Sequence, residues 1–261
     1  MRIMNSLKVE FLGTGTSQGI PVIGCSCDVC ISSSKRDKRL RTSVLISYKE
    51  KSIIIDCGPD FRQQMLLAKC KKLDAVVLTH EHMDHISGLD DVRPFNFKTK
   101  KDMSIFCTKR VETRLKEQFS YAFSSNKYPG SPGFSISNIS HESNFKIAGQ
   151  TWIPILGQHG TWPVLGFRIN NFVYLTDVSA MTSNEFKKIL GAKVLVLNAL
   201  RKESHISHFS LDEALAFAKA SKIQRVYLTH LSHKMGLHAK INKVLPDGVS
   251  LAYDRLKIII E

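Results

Sequence analysis

Residues 74–85 read DAVVLTHEHMDH. The apolar run from Ala75 to Leu78 has the character of a strand buried on both faces, and it gives way to a segment that places His80, His82, Asp84 and His85 within six residues. Imidazoles and a carboxylate that close in sequence cannot avoid one another. Neutral imidazole nitrogens and carboxylate oxygens suit borderline divalent ions such as zinc or manganese, and a strand end holds such donors rigidly at the rim of a sheet.

Further donors stand farther out along the chain. His159 lies in ILGQHG, Asp177 ends FVYLTD and His230 ends VYLTH. Each follows an apolar run at its carboxyl end, where α/β sheets tend to present ligands. Alone, each is an ordinary polar terminator. Together with the 80–85 segment they bring the set to seven donors, enough for two metals sharing one carboxylate.

The surrounding runs supply the sheets. KVEFLG is followed by TSVLISY and KSIIIDC, which flank Lys49-Glu50-Lys51 as in a hairpin, and a helix is expected from Phe61 to about Ala68. MSIFCT reads as a strand and KRVETRLKEQF as a helix with Val111, Leu115 and Phe119 on one face. Residues 120–143, rich in Ser, Asn, Pro and Gly, predict a long loop of the kind that often forms a lid. The second half repeats the style. TWIPIL precedes VLGFRI and FVYLTD around Asn170-Asn171, a turn pair suited to positive φ. TSNEFKKILG predicts a helix capped by Thr182 or Ser183 and stopped at Gly191. The strand AKVLVLNAL, the helix SLDEALAFAKASK, the strand QRVYLTH, the helix HAKINKVLP and a closing strand LKIII follow. Two halves of this kind predict two packed sheets with helices outside.

A chain of 261 residues with 43% hydrophobic content accommodates one large core, so residues 1–261 are read as a single α/β domain. The opening MRIMNSLKVEFLGTG has no apolar segment of signal-peptide length, and no stretch approaches the ~20 apolar residues that cross a bilayer. A soluble, cytoplasmic protein without a membrane partner is expected. Thirty-seven Lys and Arg against 23 Asp and Glu give a net charge of +14, a field that gathers anions and fits a phosphate-bearing substrate. Clusters such as Lys35, Arg36, Lys38, Arg39 and Arg41 also read as solvated loop charge.

HEHMDH resembles the HxHxDH signature of the metallo-β-lactamase superfamily, and His159, Asp177 and His230 match its later motifs across nearly the whole chain. The resemblance implies an αββα sandwich of two mixed sheets flanked by helices. It places His80, His82 and His159 on one metal, Asp84, His85 and His230 on the other, and Asp177 between them. Asp56 in IIIDCG looks like the motif that orients the metal loop without binding metal.

The segment FLGTGTSQGIPVIGCSCDVC narrows the branch. Gly13, Gly15 and Gly19 hint at a dinucleotide fingerprint, but the spacing is GxGxxxG, and Pro21 and the cysteines stand where a helix should open. Cys25, Cys27 and Cys30 in a chain expected in a reducing compartment read as metal ligands before they read as disulfides, one donor short of a closed zinc site. By resemblance to PhnP-like cyclic phosphodiesterases the fourth is His233, with His238 as the alternative.

The PhnP-like resemblance, with tRNase Z and PqqB as relatives, implies a metal-dependent hydrolase of a small, cyclic-ribose type of phosphodiester. Two active-site ions, zinc or manganese, and one structural zinc are the implied cofactors. An RNA substrate of the tRNase Z kind and a non-catalytic metal-dependent binding protein are the alternatives. Two divalent ions about 3.5–4 Å apart generate hydroxide between them and neutralise phosphoryl charge. Asp84 is the candidate to orient or deprotonate that nucleophile. His208, in SHFSLDEALAFA, resembles the histidine that serves the scissile phosphate in PhnP and tRNase Z; its other reading is a capping or surface residue. Arg93 is a candidate phosphate contact whose other use is an ion pair with Asp90 or Asp91.

Overall fold

Short β-branched runs pair into two sheets of seven strands each. The computed structural model describes residues 6–261, so the first five residues of the opening stretch lie outside it. In chain order the strands of the first half are β1 (Leu7–Gly13), β2 (Ser43–Tyr48), β3 (Lys51–Ile55), β4 (Ala75–Val77), β5 (Met103–Cys107) and β6 (Phe134–Asn138). Those of the second are β7 (Phe145–Ile147), β8 (Gln150–His159), β9 (Trp162–Ile169), β10 (Phe172–Leu175), β11 (Val194–Asn198), β12 (Arg225–Thr229), β13 (Val249–Leu251) and β14 (Lys257–Ile260).

One sheet runs β14-β1-β2-β3-β4-β5-β6 and the other β13-β12-β11-β10-β9-β8-β7. Each is antiparallel at one side and parallel at the other, the change falling at β3 in the first and β10 in the second. Both sheets are therefore mixed. The closing strand returns to the first sheet and pairs antiparallel with β1.

Alternation along the strands sorts side chains into layers. Ile53 and Ile55 of β3 join Phe11, Trp152, Phe167, Phe172 and Tyr174 between the sheets, while Ile54 faces outward with Val76 and Ile105. Phe61, Met65, Val111 and Leu115 from helices Phe61–Ala68 and Lys109–Gln118 cover that outer face. On the other side Ala214, Ala218 and Ile241, from helices Leu211–Ser221 and His238–Val244, cover Leu195, Leu197, Val226 and Leu228. Helix, sheet, sheet, helix is the αββα sandwich expected of the resemblance. No helix among the described residues is long and apolar enough to cross a membrane.

Residues 120–143 depart from the expected long loop. They hold a short helix, Ser120–Phe123, and the edge strand β6, parallel to β5. Phe134 packs against Phe119 and Phe123, and that contact secures a strand whose serines and asparagine mask it in sequence. The helix Arg93–Thr99 was also hidden, its Pro standing in the first turn where a missing N–H costs nothing.

Candidate metal centre

Strand ends build the site, and a strained backbone aims it. Asp56 follows β3 with φ 65°, Asp177 follows β10 with φ 58°, and His230 follows β12 with φ 57°. Left-handed conformations at non-glycine residues cost roughly 1–3 kcal/mol each and persist only where neighbours over-determine them. At Asp56 those neighbours are visible. Thr79 donates its N–H (2.9 Å) and hydroxyl (3.0 Å) to the carboxylate, and His85 Nδ1 lies 2.7 Å from it. Cys57 N donates to the His85 carbonyl, and Gly88 N to that of Cys57. At Gly58 a Cβ would stand 2.0 Å from the Asp84 carbonyl oxygen, so only glycine lets the two segments meet.

The donors foreseen from sequence converge. His80, His82 and His159 bring their ligand atoms within 4.8 Å of one another, and Asp84, His85 and His230 do the same. Asp177 groups with His80 and His85 and also with His159, which places it between the two sets, and its Oδ2 lies 3.4 Å from His85 Nε2 and its Oδ1 3.1 Å from His230 Nε2. Asp84 Oδ2 lies 3.1 Å from His85 Nε2.

The far sides of the rings are tied. His159 Nδ1 donates to the Ser207 carbonyl at 2.8 Å, and His85 Nδ1 to Asp56. The Thr79 hydroxyl proton is committed to Asp56, so His80 Nδ1–H donates to Thr79 Oγ1 at 2.9 Å. Such partners fix tautomer and ring orientation. Of the nitrogens that face the centre, His80 Nε2 is buried with no partner, while Nε2 of His85 and His230 make no well-aligned hydrogen bond and meet only the carboxylates of Asp84 and Asp177. A buried donor or acceptor left unmade costs about 1–3 kcal/mol, which a cation at the centre would relieve. The residues fit a divalent metal.

Charge follows the same plan. Burial holds His80 well below the usual imidazole range, with His85 pushing the same way, and burial also lowers His82 and His159. These rings are neutral, the form that ligates. Burial works against a proton on His85 and His230 too, but Asp84, Asp56 and Asp177 outweigh it at His85, and Asp177 and Asp84 raise His230 to about 9. Burial alone would likewise raise Asp84 and Asp177; the cationic rings of His85 and His230 hold both low. The carboxylates thus favour a proton on His85 and His230, and an entering dication would replace those protons.

His208 is buried, its Nε2 3.1 Å from Asp177 Oδ1 and its ring 4.5 Å from that of His159. The helix it precedes is capped by Ser210, which accepts from Glu213 N while Glu213 accepts from Ser210 N, so His208 is not the cap. With His159 and Asp177 it also forms a group able to hold a metal, a use beyond the one foreseen. His205, unsupported in sequence, lies 3.3 Å from His208 between Nδ1 atoms.

A second cluster is separate. Cys25, Cys27 and Cys30 Sγ lie 3.2, 3.4 and 3.5 Å from His233 Nδ1, and all the cysteines are unbridged. His238 is engaged elsewhere, its Nδ1 3.1 Å from Arg39 Nη2. Arg93 pairs with Asp90 at 2.6 Å. Sequence reasoning missed Thr79 and Gly58 as supports, and Trp162 and Arg110 beside His82. The HGTW turn was the available signal for Trp162.

A family model described as the β-lactamase superfamily domain matches residues 51–231. A solved structure of a diphosphatase from the PhnP family is 37% identical, with a TM-score of 0.92 over 98% of this chain and 97% of that one. The octanoyltransferase of Porphyromonas gingivalis is 37% identical over 98% of this chain but 52% of its own length, so the chain spans about half of that relative. Human tRNase Z, short form, shares the fold at 19% identity and a TM-score of 0.70, covering 96% of this chain and 98% of that one. PqqB of Methylobacterium extorquens does so at 16% and 0.77, covering 96% and 99%. The chain belongs to the metallo-β-lactamase superfamily and, within it, to the PhnP family.

Proposed function

We propose that this PhnP-family member is a binuclear metal-dependent phosphodiesterase acting on a small diester, a cyclic ribose phosphate being the first to try. His80, His82 and His159 would hold one divalent cation, Asp84, His85 and His230 the other, and Asp177 both; Cys25, Cys27, Cys30 and His233 would hold a structural zinc. The supporting observation is that His80, His82 and His159, and likewise Asp84, His85 and His230, bring their ligand atoms within 4.8 Å of one another, with Asp177 in reach of members of both sets and His80 Nε2 buried without a partner. When bound, the cations supply Lewis-acid charge and activate water at neutral pH. Asp84 orients the attacking water and takes its proton as the new P–O bond forms. His208, in its protonated form beside Asp177, gives its Nε2 proton to the oxygen that departs as the old P–O bond breaks and is left as neutral imidazole. Donors come from both halves, so the halves work as one domain, and the unbridged thiols suit the cytoplasm.

The test is metal analysis beside assays on a cyclic ribose phosphate, bis(p-nitrophenyl) phosphate, a pre-tRNA and an acyl thioester. Turnover of the two small diesters, lost to chelator and restored by manganese or zinc, is expected. Metal-loaded protein inert on every diester would leave a binding protein. Preferred cleavage of pre-tRNA would move the reading to RNA, for which the +14 charge and a 72-residue match, 39% identical, to the ribonuclease Z of Clostridioides difficile speak. Thioester hydrolysis alone would give weight to the octanoyltransferase relative.

A further inference from the structure

Beyond His82 the metal centre opens into a groove of about 370 Å³ lined by Met83, Arg110, Thr113, Arg114 and Trp162. We propose that this groove is a subsite for the heterocyclic base of a nucleotide, with Trp162 as its stacking platform. The proposal rests on the phosphodiesterase reading only for which bond is cut.

The chain has two tryptophans, and they are treated oppositely. Trp152 is sealed between the sheets, whereas Trp162 is 46% exposed. Trp162 stands directly across the β8–β9 hairpin from His159, and opposed residues of an antiparallel pair share a face. The indole is thereby set on the side of the sheet that carries a candidate ligand, its ring centroid 5.9 Å from that of His82.

The ring is also held still. Arg110 lies with its guanidinium 4.0 Å over the indole, and its Nε donates to Glu81, the residue between His80 and His82. Arg110 thus links Trp162 to the metal loop, and Trp162 still keeps 46% of its surface exposed beside the groove. Fixing a large apolar ring while leaving it open has an energetic cost in water that a flat ligand recovers.

Charge selects among flat ligands. Arg110 pairs with Glu81 and Arg114 with Glu117, so the groove's cations are balanced and do not call for a second phosphate. Met83, 40% exposed, adds a soft apolar contact. A neutral base fits the groove while its phosphate reaches the His/Asp cluster.

The metal-loaded protein should be titrated with adenosine 5′-monophosphate and with ribose 5-phosphate, following tryptophan emission and calorimetric affinity. Adenosine monophosphate is expected to quench saturably, because Trp162 is the accessible fluorophore, and ribose 5-phosphate is not. Trp162→Phe should abolish the quenching yet keep the affinity. Trp162→Ala should weaken adenosine monophosphate on the order of tenfold, as for a lost base–aromatic stack, with ribose 5-phosphate binding unchanged as the control for folding. Equal affinities of the two ligands for the native chain, or equal weakening of both by Trp162→Ala, would overturn the subsite. Quenching in a chain that cuts no diester would leave the subsite standing and remove only the proposed reaction.

Discussion

The two clusters of candidate ligands are joined by one short segment, His230 to His233, yet they are built in opposite ways. The Cys cluster is local, three thiols within six residues plus one ring from afar, and Gly24 absorbs its positive φ. The His/Asp cluster draws on strand ends in both sheets, bends Asp177 and His230 into left-handed backbone, and ties its rings to Asp56, Thr79 and Ser207. Soft thiolates need only proximity to close around zinc. A reactive pair needs fixed spacing and open positions, which only a scaffold that over-determines its donors provides.

Removing the shared carboxylate tests the contrast most severely. Asp177→Ala should lower turnover by several orders of magnitude and release active-site metal, since Asp84, the other carboxylate beside His85 and His230, does not group with His80 or His159 as Asp177 does. Circular dichroism and the zinc proposed for the Cys cluster should be retained. Near-native turnover would show that the two cation sites do not share Asp177.

His208→Ala comes next, with an expected loss of roughly 10² to 10⁴ in turnover, little change in substrate affinity, and both metals kept. The loss should shrink for p-nitrophenolate, a leaving group that needs little help. Equal losses on good and poor leaving groups would assign His208 to the non-bridging oxygens. Metal loss would make it a ligand beside His159 and Asp177.

Cys27→Ser is the converse experiment and a smaller one. About one equivalent of zinc and several degrees of melting temperature should be lost, with the active-site pair retained. Unchanged zinc would remove the Cys site. Loss of all metal would show that His233 is needed to place His230, making the two clusters one unit.

The His and Asp residues that converge were legible as candidates because strand ends are legible: an apolar run that stops on His or Asp marks a sheet rim, and that signal is local. His233 was available only through resemblance, as nothing near it distinguishes it from His238. Trp162 and Arg110 are 52 positions apart and meet only in the folded chain. The return of β14 to β1 is equally non-local. The left-handed backbone at Asp56, Asp177 and His230 left only a faint trace, since Asp and His tolerate that region better than most residues. Residues 120–143 misled because β6 owes its order to aromatic neighbours more than to its own composition.

The smallest effect separates the two histidines that competed for the Cys cluster. His238 is buried and starts its helix with its N–H on Asp37, while its Nδ1 accepts from Arg39, itself buried and bound to Thr14 and the Ala252 carbonyl. Burial, then the cations of Arg39 and Arg36, push the ring down to about 4, with Asp37 opposing them. An unfolded histidine takes its proton near 6.5. Acid therefore protonates the unfolded chain first, and the stability His238 contributes is complete above about pH 6.5 and lost progressively as the pH falls through about 4. His238→Gln keeps an acceptor for Arg39 and has nothing to titrate. Its urea midpoint should fall less than the native one between pH 7 and pH 5, the remaining slope being that of the other buried rings. Parallel lines for the two chains would mean that His238 takes up its proton as readily in the fold as in the unfolded chain, and that the Arg39 contact does not hold the ring neutral.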